Sequence, residues 1–264
     1  MADITAGDVK TLRDATGAGM MDAKKALVEA DGDFDAAVKL LRERGLAKSA
    51  DRSDRENAQG TVAIGIAGRV ASIVELKCET DFVAKNDEFI SLVQRLADAV
   101  AADGEGAIDA HKDAVDDLKV TLKENIDVGR VKRLEATGDQ VLDTYLHKQE
   151  GRGVNAVIVV LDGGLQDLAH DIAVHIAFAR PTYLSRDEIP ADVVADERET
   201  LVGITRAEGK PEAAMDKIVE GRLNGWYKER VLLEQAYAKD DKQTIQQVLG
   251  GATLVAYAQV VIGT

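Results

Sequence analysis

Residues 70–100 read VASIVELKCETDFVAKNDEFISLVQRLADAV, and the periodicity changes once along them. Val70 to Cys78 is dense in Val and Ile, the composition of a strand. From about Asn86 to Ala102 the apolar residues Phe89, Val93, Leu96 and Val100 recur on one face, the spacing of a helix. Residues 154–179, VNAVIVVLDGGLQDLAHDIAVHIAFA, repeat that order: a strand near Val154 to Leu161, a turn, and a helix from Leu165 to Ala179 that Pro181 closes. The repetition predicts two related α/β halves, the first with TDFVAKN inserted between strand and helix. Thr61 to Ile66 forms a second strand ahead of Val70, across Ala67, Gly68 and Arg69, so the first half opens on an antiparallel hairpin.

Working outward, the amino-terminal side reads as three short helices. Thr5 caps the first, with Asp8 in the acidic position of a capping box and Val9 and Leu12 inward. Gly17, Ala18 and Gly19 interrupt it. Met20 begins the second, with Ala23, Ala26 and Leu27 inward and Gly32 beyond its end. Asp33 caps the third, whose buried stripe is Phe34, Val38 and Leu41 and whose stop is Gly45. Residues 47–59, AKSADRSDRENAQ, have almost nothing large and apolar to bury and read as a tether.

On the carboxy-terminal side, a helix near Ala114 to Glu124 and strands near Val131 to Glu135 and Val141 to His147 separate the two halves. From about Asp187 to Asn224 two helix-length segments flank Gly209, Lys210 and Pro211, the pattern of an αα-hairpin. Its seam is Ile189, Val193, Val194, Leu201, Ile204, Met215, Ile218, Val219 and Leu223. A helix near Lys242 to Leu249 and a strand from Ala252 to Ile262 end the sequence. The predicted class is α+β, with antiparallel sheets in a two-part core. The domain reading is 1–46 for the three helices, 47–60 for the linker, 61–145 for one core subdomain, 146–186 with 225–264 for the other, and 187–224 for the hairpin.

Composition excludes several classes of function. The chain has 264 residues, 45% hydrophobic and 30% charged, with only 3 prolines, which is the balance of an ordinary globular protein. A net charge of -14 gives phosphate backbones and anionic membranes little attraction, so neither nucleic acid nor membrane is an expected direct partner. Cys78 is the only cysteine, which leaves no intramolecular disulfide and points to a reducing, cytoplasmic setting with a buried thiol. The amino-terminal MADITAGDVK lacks the basic-then-apolar pattern of a leader, and no apolar run approaches the length of a membrane span.

Catalytic and cofactor patterns are missing as well. Histidines 111, 147, 170 and 175 form no zinc spacing, and His170 and His175, five apart on one helix, diverge. No nucleophile elbow occurs. Gly203 to Pro211 (GITRAEGKP) has five residues between its glycines, Pro where a magnesium-binding hydroxyl belongs, and no strand before it, so it is no phosphate loop. No cofactor or metal is expected, and residues alone point to an acidic binding protein.

Three stretches narrow that reading. Val9 to Gly45, VKTLRDATGAGMMDAKKALVEADGDFDAAVKLLRERG, closely resembles the amino-terminal domain of the elongation factor Ts family, with Ala23 where the family usually has Cys. Glu79 to Phe89, ETDFVAKNDEF, carries the TDFV signature of the same family after a strand and ahead of a helix. Glu220 to Tyr237, EGRLNGWYKERVLLEQAY, is similar to the segment after the family's hairpin, with Ala236 and Tyr237 where Pro and Phe are frequent. The resemblance runs through nearly the whole chain in the family's order. Some relatives add a carboxy-terminal helical module, so contacts made by that module are not carried over.

The resemblance implies a ubiquitin-associated-like three-helix domain, a two-part core and a protruding helical hairpin. It also implies a partner, elongation factor Tu, and an activity, guanine-nucleotide exchange without covalent chemistry. Within it, Thr80, Asp81, Phe82 and Val83 are the element that enters the GTPase beside its magnesium ion, Phe82 as the wedge. Arg13, Met20, Met21 and Lys24 match positions that touch the GTPase domain, and His175 matches a histidine on the core helix facing the partner. Residue by residue the plain alternatives are a core aromatic for Phe82, helix packing for the methionines, a solvated face for Arg13 and Lys24, and a satisfied core histidine for His175. The hairpin leaves open an internally satisfied seam or self-association into a homodimer. Two rival classes are an adaptor for ubiquitin-like surfaces, which needs no TDFV-bearing core, and an enzyme, which needs convergent polar groups that the sequence does not display.

Overall fold

The computed structural model describes residues 4–50 and 52–264, apart from the side chains of residues 47, 48 and 50. Met1 to Asp3, read as the start of the first domain, and Asp51, read as part of the tether, lie outside the described residues. The chain divides into two compact units: Met1–Arg133 with Leu146–Ala156 and Val260–Thr264, and Leu134–Tyr145 with Val157–Gln259. The class is α+β.

In the first unit, helices α1 (Ala6–Thr16), α2 (Met20–Glu29) and α3 (Phe34–Ala50) enclose a small core of Val9, Leu12, Ala23, Ala26, Leu27, Ala37 and Leu41. Thr5 and Asp8 cap α1 reciprocally, as the sequence predicts, and Ala36 N–H donates to the Asp33 side chain at 2.9 Å at the head of α3. Two expectations are corrected. Phe34 is exposed and Ala37 takes its place in the stripe, one turn ahead of Leu41 on the same helix face. Gly45 does not stop α3, which runs on to Ala50 and shortens the tether. A Cβ at Gly45 would lie 2.4 Å from Val120 Cγ1, so this glycine serves close packing of α3 on helix α6 (Lys112–Leu122). Arg42 adds ion pairs to Asp113 and Asp117 of α6, each 3.0 Å.

Strands β1 (Gln59–Ala67) and β2 (Val70–Cys78) form the expected antiparallel hairpin, with Gly65 opposite Ser72, and β3 (Asp127–Glu135) completes a sheet of order β1-β2-β3. After the one-turn helix α4 (Asp81–Ala84), helix α5 (Asp87–Asp103) crosses this sheet. Phe89, Leu92, Val93, Leu96 and Val100 of α5 meet Ala63, Val74, Leu76 and Cys78 in one core. Contact is closest at the Gly65–Ser72 pair: a Cβ on Gly65 would lie 2.2 Å from Ala97 O, and Ser72 Oγ donates to that carbonyl at 2.6 Å. On the other face, buried Glu75 receives Arg130 in a two-pronged pairing, both contacts 2.8 Å, while Arg130 also donates to Val261 O at 2.5 Å.

Strands β4 (Val141–Gln149), β5 (Arg152–Asp162) and β8 (Thr253–Val261) make the second sheet in the order β4-β5-β8. In the second unit, Ala169, Ile172, Ala173 and Ile176 of α7 (Gln166–Ala179) pack on Val157, Val159 and Leu161 of β5. Helices α8 (Ala191–Ala207) and α9 (Met215–Arg230) form the hairpin, with Ile189, Leu201, Val219, Leu223 and Trp226 in its seam. Ile204 is exposed and Thr205 is buried instead, its hydroxyl satisfied by donating back to Leu201 O at 2.6 Å. The helix expected near Lys242 is shorter. Strands β6 (Ala236–Tyr237) and β7 (Asp240–Thr244) pair first, and a capping box of Thr244 and Gln247 then opens α10 (Ile245–Leu249).

Candidate functional site

The loop between β2 and α5 is built by two successive caps. Thr80 has an extended backbone and its Oγ1 accepts from Val83 N–H at 3.3 Å, which winds residues 81–84 into a single turn. Asn86 then accepts from Glu88 and Phe89 N–H at 2.9 and 3.2 Å and starts α5. Between the caps Ala84 is fully buried and Val83 rests against the α5 core. Phe82 points the other way. It is 84% exposed, the largest exposure among the large hydrophobic side chains of the described residues. An aromatic held in water by a fixed backbone forgoes the gain of burial.

Behind the loop stands Glu124, two residues past the end of α6. Its Oε2 accepts from Glu79 and Thr80 N–H at 3.0 and 3.1 Å, and its Oε1 accepts from Thr80 Oγ1 at 2.5 Å. Glu79 returns the contact, accepting from Asn125 N–H at 2.7 Å, and Asn125 Nδ2 donates to the carbonyls of Ser53 and Arg55 at 3.1 and 2.7 Å. Cys78 Sγ donates to Thr80 O at 3.2 Å, and burial together with the Glu124 charge pushes its thiol up to about 12, so it stays protonated. Asp81 pairs with Lys85 at 2.8 Å, and Lys85 also pairs with Glu150. The hydrogen bond from Lys85 holds the Asp81 carboxyl below the usual carboxylate range, so it is ionised at neutral pH.

The other predicted residues divide by exposure. Arg13, Met20, Met21 and Lys24 are all exposed on α1 and α2, and Arg13 meets Asp14 at 3.7 Å. His175 is only 1% exposed. Its Nδ1 accepts from Ala238 N–H at 3.2 Å, which leaves Nε2 to carry the proton and donate to Gln235 Oε1 at 3.1 Å. Burial pushes its pKa down from the ordinary 6.5. Both ring nitrogens are therefore spent inside the second unit. Glu124 and Asn125 were missed by the sequence reading, because nothing local marks a carboxylate that acts on a loop 44 residues earlier in the chain. Exposed Phe178 at the end of α7 was missed too, since α7 has apolar residues on more than one side.

Among the described residues no group of three or more His, Cys, Asp or Glu side chains is arranged to hold a metal ion, and no helix is long and apolar enough to cross a membrane. The arrangement defines an α+β protein that displays one aromatic on a doubly capped, braced loop. The family model described as Elongation factor TS matches residues 79–264, beginning at the first residue of that loop. A protein named Elongation factor Ts from Clavibacter michiganensis subsp. michiganensis (strain NCPPB 382) is 46% identical over 277 aligned residues, covering 100% of both chains. Those of Arthrobacter sp. (strain FB24) and Saccharopolyspora erythraea are each 44% identical and cover 100% of this chain, with 100% and 99% of their own lengths. The chain belongs to the elongation factor Ts family, and is a translation elongation factor of that family.

Proposed function

We propose that this protein is the guanine-nucleotide exchange factor of elongation factor Tu in the cytoplasm. In this reading it binds the GDP form, disturbs the magnesium and phosphate site with the Asp81–Phe82 loop, releases GDP, and is expelled when GTP binds. The observation that carries the reading is Phe82, exposed at the tip of a loop whose backbone is capped at both ends. Burying the ring in the partner would gain about 1.5–3 kcal/mol, realised only in the complex. Asp81, ionised, half-exposed and paired with Lys85 beside it, brings the charge that competes for the neighbourhood of a bound cation. Thr80 and Val83 serve by anchoring the turn, because their side chains are engaged with Glu124 and the core.

The three-helix segment 1–46 supplies the second contact in this proposal, through Arg13, Met20, Met21 and Lys24, whose exposure supports the assignment. Flexible methionines suit an adaptable protein surface. The hairpin, 187–224, stands as a separate functional part. His175 acts indirectly, fixing the Gln235–Ala238 turn through its two ring nitrogens, since neither nitrogen is free to meet a partner.

Release of fluorescent GDP from purified elongation factor Tu, with and without this protein, tests the reading. Phe82→Ala should slow the stimulated release markedly while leaving the melting temperature nearly unchanged, because an exposed side chain contributes little to the fold. A protein that leaves GDP release at its spontaneous rate overturns the proposal, and a large fall in melting temperature for the variant overturns the wedge.

A further inference from the structure

We infer that Glu124 is a positioning residue for the Phe82 loop: it holds the loop in its binding-competent conformation before any partner arrives. The inference rests on the exchange reading for its functional consequence, and on hydrogen bonds alone for its structural part. A single carboxylate receives three donors at the end of β2, Glu79 N–H, Thr80 N–H and Thr80 Oγ1, all from the residues directly preceding Asp81 and Phe82. Hydrogen bonds to an ionised acceptor are the strong kind. Without them two backbone N–H groups at the root of the loop lose their protein partner, and the Thr80 hydroxyl loses the orientation in which it caps Val83.

Glu124 is itself held from both sides. Lys123, with φ of 60°, turns the chain out of α6 and donates to Lys119 O at 3.2 Å, and Ile126 is fully buried in the α5 core. Asn125 extends the brace to the carbonyls of Ser53 and Arg55, and Arg55 lies 3.5 Å from Glu79. The brace thus joins the loop, the end of α6 and the segment leading out of α3 within one compact unit. Preorganisation of this kind acts on affinity. If removal of the carboxylate lets the loop sample other conformations, apparent binding weakens by the fraction of molecules still competent, while the rate at saturation is kept.

The test uses the full-length protein as wild type, Glu124→Ala, Glu124→Gln, Phe82→Ala and the double variant Phe82→Ala/Glu124→Ala. The amide oxygen of Gln can still accept from the backbone N–H groups, so Gln should rescue most of what Ala loses. Two readouts are taken: GDP release against factor concentration, and hydrogen exchange of the Glu79 and Thr80 amides. For Glu124→Ala we expect those amides to exchange about tenfold faster, and the half-saturating concentration to rise about tenfold at a maximal rate within about twofold of wild type. In the Phe82→Ala background the further loss should be clearly smaller, the remainder being what the loop contributes through Asp81, since a residue acting through the loop couples to the side chains it carries. An equal shift in both backgrounds shows a general loss of fold and overturns the inference, as does an unchanged half-saturating concentration. If the wild type itself does not stimulate GDP release, the exchange reading fails, and hydrogen exchange still decides the brace: unchanged amides in Glu124→Ala overturn it.

Discussion

Phe82 and Glu75 show two opposite ways in which one side chain can matter. Phe82 contributes nothing to the interior and is available to a partner. Glu75 is buried with a charge that Arg130 pairs with directly. Burial pushes the Glu75 carboxyl up, and the hydrogen bonds from Arg130 outweigh it, so its pKa lies below the ordinary 4.5. The stability this pair supplies is therefore present above pH 4.5 and lost as pH falls through the lower folded value. Arg130→Ala should cost about 3 kcal/mol in urea unfolding, the lower end for breaking a buried pair because the guanidinium is partly exposed. With the guanidinium gone, only the backbone N–H at position 130 and the Lys77 charge still oppose burial, so the Glu75 pKa rises and the deficit should shrink as pH is lowered toward the carboxylate range. His175 has the same pH sense, although here burial favours the neutral form. Its folded pKa is below 6.5, so its contribution is complete above that pH and is lost as pH falls. His175→Gln should therefore lose less stability than wild type between about pH 7.5 and 5.5, measured as melting temperature. Equal slopes would show that another group controls that range.

Among the elements, α5 determines where the loop stands. Its cap Asn86 ends the TDFVAKN insertion, and its seat on the sheet is the Gly65–Ser72 pair beneath Ala97 O. A side chain at Gly65 meets backbone, which cannot rotate away, so Gly65→Ala should lower stability by about 1–3 kcal/mol through overpacking. Gly68, with φ of 61° and open space around it, tests the alternative of a purely conformational role: Gly68→Ala should show strain without a clash. Calorimetric melting of the two variants separates crowding at an element interface from the backbone preference of a turn. Amide exchange in α5 should be faster in the Gly65 variant alone.

For the whole molecule the decisive quantity is a coupling between ligands. An exchange factor that weakens GDP binding must itself bind less well when GDP is present, by the same factor. Couplings of this kind are on the order of 1–3 kcal/mol, and an exchange factor belongs at or above the upper end. Titration calorimetry of elongation factor Tu with this protein at several GDP and magnesium concentrations should show affinity falling as either is raised. The protein alone should bind neither GDP nor GTP. An affinity indifferent to both ligands would leave a scaffold that holds the GTPase without acting on its nucleotide.

Sequence by itself determined what short range controls: the capping box at Thr5 and Asp8, the cap at Asp33, the antiparallel β1–β2 pair, the alternation of strand and helix in both halves, and the helical hairpin. Each depends on residues within a few positions of one another, where propensity, periodicity and capping speak directly. The TDFV insertion was legible for the same reason, as a loop between two regular elements. Tertiary structure decided the rest. Gly45 reads as a stop until α6 is beside it, because a weak helix propensity yields to the close approach that a missing Cβ permits. His175 reads by itself as a satisfied core histidine and only through the resemblance as a partner contact, and which groups satisfy it, Gln235 and Ala238, is decided when they close on its ring. The partners of Glu124 are equally silent in the sequence, since the hydrogen bonds that fix the Phe82 loop join residues far apart in the chain and exist only once α6 and β2 have packed into one unit.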